Sequence, residues 1–180
     1  MHLVITGVPG TGKSTLAKRI SQELDCEVVH ANELVKKEKL WMNKKDGTVD
    51  LQKLRKKLTH LLKKSKKLVV EGHLLCEFPL PCERVLVLRC RPDVLKKRLE
   101  KRRYPKAKVR ENIWAELLDY CDVRAVDEYG SKNVVQVDNT HFHSTHAALA
   151  HSQARQNEEV NWGAWMRSPE RLARLVGTPS

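Results

Sequence analysis

A chain of 180 residues is long enough for one α/β core and too short for two substantial domains. Its 34 basic and 22 acidic residues give a net charge of +12, which points toward polyanionic partners and away from cationic ones. No apolar run approaches the roughly 20 residues of a membrane span, and the first strand begins too early for a signal or transit peptide. A soluble intracellular protein is expected, cytoplasmic, or nuclear in a eukaryote.

Leu3-Val4-Ile5 reads as a strand, and Leu16, Ile20 and Leu24 recur at the spacing of a helix face. Between them Gly7-Val8-Pro9-Gly10-Thr11-Gly12-Lys13-Ser14, followed by Thr15, satisfies G-x-x-x-x-G-K-[ST] at every fixed position. Glycines permit the positive φ that turns successive N–H groups toward a polyphosphate, and the following helix presents its positive end to the same anion. Gly10, Thr11, Gly12, Lys13, Ser14 and Thr15 are therefore expected to hold ATP. Lys13 would reach the β- and γ-phosphates, and the Ser14 hydroxyl would face Mg²⁺. The plainer alternative is a glycine-rich turn that merely caps a helix. The Lys-Ser pair and the flanking strand and helix favour a nucleoside triphosphate.

Glu27-Val28-Val29-His30 reads as a short buried strand. Ala31-Asn32-Glu33 reads as a turn with an N-cap residue, leading into a helix from Leu34 to Trp41. Asn43 to Gly47 is a loop by composition. Leu51, Leu54, Leu58, Leu61 and Leu62 then mark an amphipathic helix whose other faces carry Lys53, Arg55, Lys56, Lys57, Lys63 and Lys64. From Lys36 to Lys67 twelve lysines and Arg55 face only Glu38, Asp46 and Asp50, so most of the net charge sits in this one segment.

Leu68-Val69-Val70-Glu71 is an apolar run ending in a carboxylate, the pattern of a central parallel strand with an active residue at its C-terminal end. Val85 to Leu88 is the next strand. Asp93 begins a helix with Leu95 and Leu99 on its core face and Arg98 and Arg102 on another. After Tyr104-Pro105 one long helix is expected through Val109, Ile113, Leu117 and Cys121, and Val134 to Val137 closes the sheet as a fifth strand. Strands alternating with helices predict a three-layer α/β/α fold around a five-stranded parallel sheet, with ligands beyond the strand C-termini. Past His141 the composition changes. Ala147 to Ala154 is expected to be helical, and a final helix is expected from Ser168-Pro169-Glu170 through Leu172 and Leu175. Cys26, Cys76, Cys82, Cys90 and Cys121 form no C-x-x-C pair and read as free thiols, mostly buried.

A phosphate loop names no reaction, so other residues must decide. Glu71 stands where a carboxylate can hold the hydration shell of Mg²⁺. His73, two residues on, would orient a water or line an acceptor site. Arg102, with Arg98, Arg103 and Tyr104, suggests a lid that brings guanidinium charge to a transferring phosphoryl group. The Asn43-Lys44-Lys45-Asp46 loop matches the guanine-reading N-K-x-D pattern, but it precedes the Glu71 strand and cannot reach a base there. His141, His143, His146 and His151 have ligand-like spacing without a nearby acid or thiol, and solvated histidines explain them better.

With these residues in place the chain resembles the adenylate kinase isoenzyme-six family, the coilin-interacting nuclear ATPase group with its archaeal counterparts, over about residues 1–140. The carriers are Gly7 to Thr15, Glu71-Gly72-His73, Phe78-Pro79, and Arg98 to Tyr104 with Asn112. The resemblance implies a monophosphate-binding region over about 30–53 and a lid over about 101–111, with Arg102 contacting ATP. It further implies reversible phosphoryl transfer from ATP to a nucleoside monophosphate, typically AMP, and a separate ATPase activity. Late maturation of the small ribosomal subunit, beside a platform protein of that subunit, is the implied role. Glu71 replaces the family's usual Asp, and Lys36 stands where arginine would be expected.

The expectation is thus one P-loop kinase domain over 1–180, with a tail over 141–180 that the resemblance does not cover. Lys13, Glu71, His73 and Arg102 are its expected catalytic residues, Ser14 and Glu71 its Mg²⁺ side, and Asn32, Lys36 and His73 its acceptor side. Two alternatives from other classes remain open: an ATP-driven ribosome assembly factor that uses the basic 36–67 segment to hold ribosomal RNA, and a polynucleotide 5′-kinase.

Overall fold

The computed structural model describes residues 1–45, 47–141 and 160–176. In chain order the elements are β1 (His2–Thr6), α1 (Lys13–Leu24), β2 (Glu27–His30), α2 (Ala31–Glu38), β3 (Trp41–Asn43), β4 (Thr48–Val49), α3 (Leu51–Lys64), β5 (Leu68–Glu71), β6 (Arg84–Arg89), α4 (Pro92–Lys101), α5 (Lys106–Leu117), α6 (Tyr120–Tyr129), β7 (Val134–Asp138), α7 (Gly163–Met166) and α8 (Pro169–Val176). Five strands form one parallel sheet in the order β2-β5-β1-β6-β7, as the apolar runs predict.

Alternation along each strand divides the core in two. Leu3, Ile5, Val69, Leu86, Leu88, Val135 and Val137 point to the face that packs on Leu16, Ala17 and Ile20 of α1. Val4, Val70, Val85 and Val87 point to the opposite face, which packs on the apolar stripes of α2 to α6 and on Leu175 of α8. In α3 the predicted stripe is present: Leu54, Leu58 and Leu62 are buried, and the Asp50 carboxylate caps the helix by accepting the Lys53 N–H at 3.0 Å.

Several local expectations are corrected. The β2 strand lies at the sheet edge and is half-buried, because only β5 pairs with it. The following helix starts at Ala31 and ends at Glu38, so Asn32 sits inside its first turn and caps nothing. Trp41 belongs to a strand: Trp41 pairs with Val49 and Asn43 with Thr48, and the lysine-rich loop is the turn of this small hairpin. Its two- and three-residue strands are too short for an alternation to show.

The long helix expected after Pro105 is two helices. Asp119 takes a left-handed φ of 54° between α5 and α6. Arg89 braces the break: its Nη2 donates to the Glu116 carbonyl at 3.1 Å and to the Asp119 carboxylate. The guanidinium shares that carbonyl with the Asp119 N–H, which reaches it at 3.3 Å as the chain turns. Val109, Ile113, Leu117 and Cys121 all keep their buried places. The final helix is present as α8, with Leu175 buried, whereas the expected helix over 147–154 and the spaced histidines beyond His141 lie outside the described residues, as does Asp46. All five cysteines are free, and Cys76, Cys90 and Cys121 are buried.

Candidate active site

Parallel strands send all their C-terminal ends to one edge of the sheet, and that edge gathers the polar residues of this chain. The loop after β1 carries Gly7 to Gly12, β2 ends in His30, β5 in Glu71, β6 in Arg89, and β7 runs into Asn139 and Thr140. Gly10 has φ 94°, and a Cβ there would come within 2.8 Å of Leu95 and 3.0 Å of Leu99, so α4 packs directly on the loop. Only glycine meets both demands.

Lys13, the first residue of α1, is buried and bends back over the loop, donating from Nζ to the Gly7 carbonyl at 2.9 Å and the Val8 carbonyl at 3.0 Å. Burial holds its ammonium below the usual lysine range, with Glu71 acting against that shift and the charge of Arg102 adding to it. Such an ammonium gains from any anion brought beside it. Ser14 Oγ donates to Glu71 Oε1 at 3.0 Å, and His30 Nδ1 meets the same oxygen at 2.7 Å, with Glu71 itself buried. The strand register makes this possible, since His30 stands directly opposite Glu71 across the β2–β5 pair. An open cleft of about 830 Å³ borders the group, with Ser14, Thr15, Lys18, Arg19 and His30 in its wall.

The oxygens of Ser14 and Glu71 fit a hard divalent cation. Mg²⁺ favours oxygen donors, retains several waters, and typically takes one or two protein oxygens beside those of a phosphate. The donor set here is of that kind, and the longer glutamate reaches the serine hydroxyl without strain in its strand.

His73 opens a short 3₁₀ turn, His73–Cys76, directly after β5, and its carbonyl accepts the Thr6 hydroxyl at 3.3 Å. Burial, reinforced by the Lys13 charge, pushes its imidazole down to about 4, so the ring is neutral near pH 7. Gly72 before it is crowded by α2, because a Cβ there would lie 2.7 Å from that of Ala31. On α2, which Ala31 begins, Asn32 and Lys36 are exposed one helical turn apart. Arg102 is the C-cap residue of α4, exposed, with its charge felt at Lys13. Arg103 then reverses the chain with φ 58°. Arg98 does not share the role expected for it on the lid: Nη2 donates to the carbonyls of Asn139 at 3.1 Å and Thr140 at 2.9 Å, so it braces the loop after β7.

Three participants are missing from the sequence-based set. His30 looked like the end of a strand, and the signal was a polar residue closing Val28-Val29 level with Glu71. Arg89 closes Val85 to Leu88 in the same way, and it is 2% exposed in a cluster with Glu116, Asp119 and Gln136. Glu116 Oε1 also accepts from the Cys90 N–H at 3.1 Å and from Trp162 Nε1 at 2.8 Å, which ties the C-terminal segment to the sheet. The third is Asn139, which had no motif to mark it.

A family model described as an AAA domain matches residues 3–119. Relatives bearing the description "Putative adenylate kinase" include one from Methanocaldococcus jannaschii, 40% identical over 125 residues that cover 67% of this chain and 70% of that protein. Another, from Natronomonas pharaonis, is 36% identical over 140 residues, covering 78% of this chain and 81% of that protein. Among solved structures, shikimate kinase from Acinetobacter baumannii in complex with shikimate superposes with a TM-score of 0.60 at 13% identity, over 87% of this chain and 95% of that one. Deoxyadenosine kinase from M. mycoides with bound dATP gives 0.55 at 18% identity, over 87% and 100%. Both likenesses are of fold alone.

Proposed function

Because the chain belongs to the AAA domain family and to the archaeal group that bears the adenylate kinase description, we propose that it transfers the γ-phosphoryl group of ATP reversibly to AMP or another nucleoside monophosphate, with a separate ATPase activity. The observation that carries this reading is the buried Lys13 ammonium in one loop with the Ser14–Glu71 contact at 3.0 Å. Gly10 to Thr15 cradle the triphosphate, and Lys13 leaves the Gly7 and Val8 carbonyls for its phosphates. The Ser14 hydroxyl and the Glu71 carboxylate would hold and position Mg²⁺, which would supply neutralisation of the triphosphate's charge. Arg102 closes over the nucleotide and stabilises the transferring group. Neutral His73 accepts a hydrogen bond from a water in the ATPase reaction or from the acceptor. Asn32 and Lys36 receive the monophosphate within the region 30–53, and 101–111 acts as the lid, all within one kinase domain over 1–180. Catalysis of this kind is positioning and electrostatics.

Product analysis tests the reading directly: ATP and Mg²⁺ incubated alone, with each monophosphate, and with 5′-hydroxyl RNA. AMP is expected to raise ADP formation well above the ATP-only rate. Lys36→Ala is expected to raise the KM for AMP about 10-fold while leaving that for ATP nearly unchanged, since a single phosphate contact is lost. Labelled RNA as the main product would instead establish the polynucleotide 5′-kinase, and equal turnover with and without every acceptor would establish an ATPase.

A second role rests on the surface of α3. Lys53 is held by Asp50 at 3.0 Å and Lys57 by Glu38 at 2.9 Å, whereas Arg55, Lys56, Lys63 and Lys64 are exposed. These four side chains support ribosomal RNA binding in small-subunit maturation, with the basic platform protein of that subunit docking away from them. Reversing Lys56, Lys63 and Lys64 to Glu is expected to weaken RNA binding at least 10-fold at low salt and to flatten its salt dependence. AMP kinase activity should persist, because these residues lie off the apolar face of α3. RNA binding that survives the triple reversal would remove α3 from the role.

A further inference from the structure

We propose that Asn139 is a positioning residue of the phosphate loop, one that holds the Thr11–Gly12 peptide so that the Gly12 N–H faces the bound polyphosphate. The proposal rests on the kinase reading above and adds to it a residue that lies on no phosphate-binding motif.

Thr11 is completely buried, and its hydroxyl donates to the Val8 carbonyl at 3.0 Å. On the other side its own carbonyl accepts from Asn139 Nδ2 at 2.7 Å, in a contact that spans 128 residues of sequence. A trans peptide is planar, with its C=O and N–H pointing in opposite directions. Fixing the Thr11 carbonyl toward Asn139 therefore fixes the Gly12 N–H away from it, on the opposite edge of the peptide plane. Nothing local does this. Gly10 and Gly12 flank Thr11 with φ of 94° and 100°, and glycine rotates between its wells without the Cβ penalty that would hold another residue. Gly12 is also the N-cap of α1 and has no side chain to satisfy the first turn. The orientation of this peptide must be imposed from outside the loop.

Asn139 is built to impose it. It is 4% exposed, and its N–H donates to the Arg89 carbonyl at 2.8 Å, extending the β6–β7 ladder by one bond. Arg98 Nη2 grips its carbonyl, and the neighbouring Thr140 hydroxyl accepts the Arg91 N–H at 2.9 Å. The amide is thus carried by the rigid edge of the sheet and by α4, as a group that must hold a reactive partner within a fraction of an ångström has to be. An amide N–H aimed at a developing phosphoryl charge contributes without reorganising during the reaction, and a misaimed one is lost to it.

Asn139→Asp removes the NH₂ donor with almost no change of volume, and Asn139→Leu removes all polarity. For both, kcat is expected to fall about 100-fold and the KM for ATP to rise about 10-fold, with the KM for AMP unchanged. Glycine-selective ¹⁵N labelling gives a readout free of turnover, since the chain has only 8 glycines. Adding ADP and Mg²⁺ should move the Gly12 amide resonance strongly in the native protein and leave it nearly unmoved in N139D. Two results would overturn the proposal: a Gly12 response and an ATP KM that survive N139D, or parallel losses in AMP and ATP kinetics with an equal fall in Tm. An ADP-insensitive Gly12 in the native protein would instead remove the phosphate-site reading itself, and this proposal with it. If N139L does not fold, N139D decides alone.

Discussion

Lys13→Ala is expected to lower phosphoryl transfer about 100- to 1000-fold, the scale seen when a preorganised charge or donor at a transition state is removed. An anion clamp that faced solvent would leave the fold untouched when lost. The structure gives a different route to a similar outcome. Lys13 is buried, and its Nζ satisfies the Gly7 and Val8 carbonyls. Alanine strips both of their donor, which is unfavourable, and it also removes an ammonium whose burial is itself unfavourable. The two effects oppose each other, and water can enter the emptied loop to reach the carbonyls. Stability should change by no more than about 1 kcal/mol. Single-turnover transfer and urea unfolding measured on the same preparation check both halves. A variant with near-native turnover would show that the triphosphate lies elsewhere.

Arg89→Met should cost about 3–5 kcal/mol of stability, because it leaves a buried carboxylate without its counter-ion. That is a large part of the 5–15 kcal/mol typical of a folded domain. Against the cost of burial, the carboxylates of Glu116 and Asp119 hold the Arg89 guanidinium above its already high value, so it is charged throughout the accessible pH range. Glu116 has its charge opposed by burial but is supported by Arg89, Trp162 and the Cys90 N–H. The double variant R89M/E116Q retains an acceptor for Trp162 and Cys90 while discarding the uncompensated charge, and it should recover more than half of the loss. Urea unfolding of the two variants decides the matter. A single variant within 1 kcal/mol of the native protein would mean that the cluster is incidental.

The particular elements show what a sequence can and cannot reveal about this molecule. The strands of the sheet were legible because a strand buried on both faces must be apolar at nearly every position, and Leu68 to Glu71 or Val85 to Leu88 admit little else. The phosphate loop was legible because glycine, lysine and serine are each required at a fixed place. The hairpin from Trp41 to Val49 was not, since its pairing depends on two short segments meeting, and neither is long enough to show a period. The break at Asp119 was hidden for another reason. The helical repeat of Val109, Ile113, Leu117 and Cys121 runs straight through it, and Arg89, the residue that braces the break, lies thirty positions earlier in β6. His30 and Asn139 share that character. Each acts through a partner distant in sequence, so its role is set by the strand order of the sheet, and that order is a property of the whole fold.

That strand order also dictates when the phosphate loop can first exist. In β2-β5-β1-β6-β7 the strand before the loop is central, and its two neighbours are β5 and β6. During synthesis at about 5–20 residues per second, roughly 80 further residues must follow Thr6 before Arg89 completes the second neighbour, a delay of about 4–17 s. Until β5 is made, Leu3, Val4 and Ile5 form an apolar strand with both edges open, and until β6 is made one edge stays open, the kind of segment that pairs with other chains. An unpaired β1 is therefore the expected point of self-association in the nascent chain. A strong prediction for recombinant production follows: truncations ending between β5 and β6 should aggregate, whereas the same strand in the full chain stays soluble, and ATP can rescue only chains already long enough to close the sheet around β1.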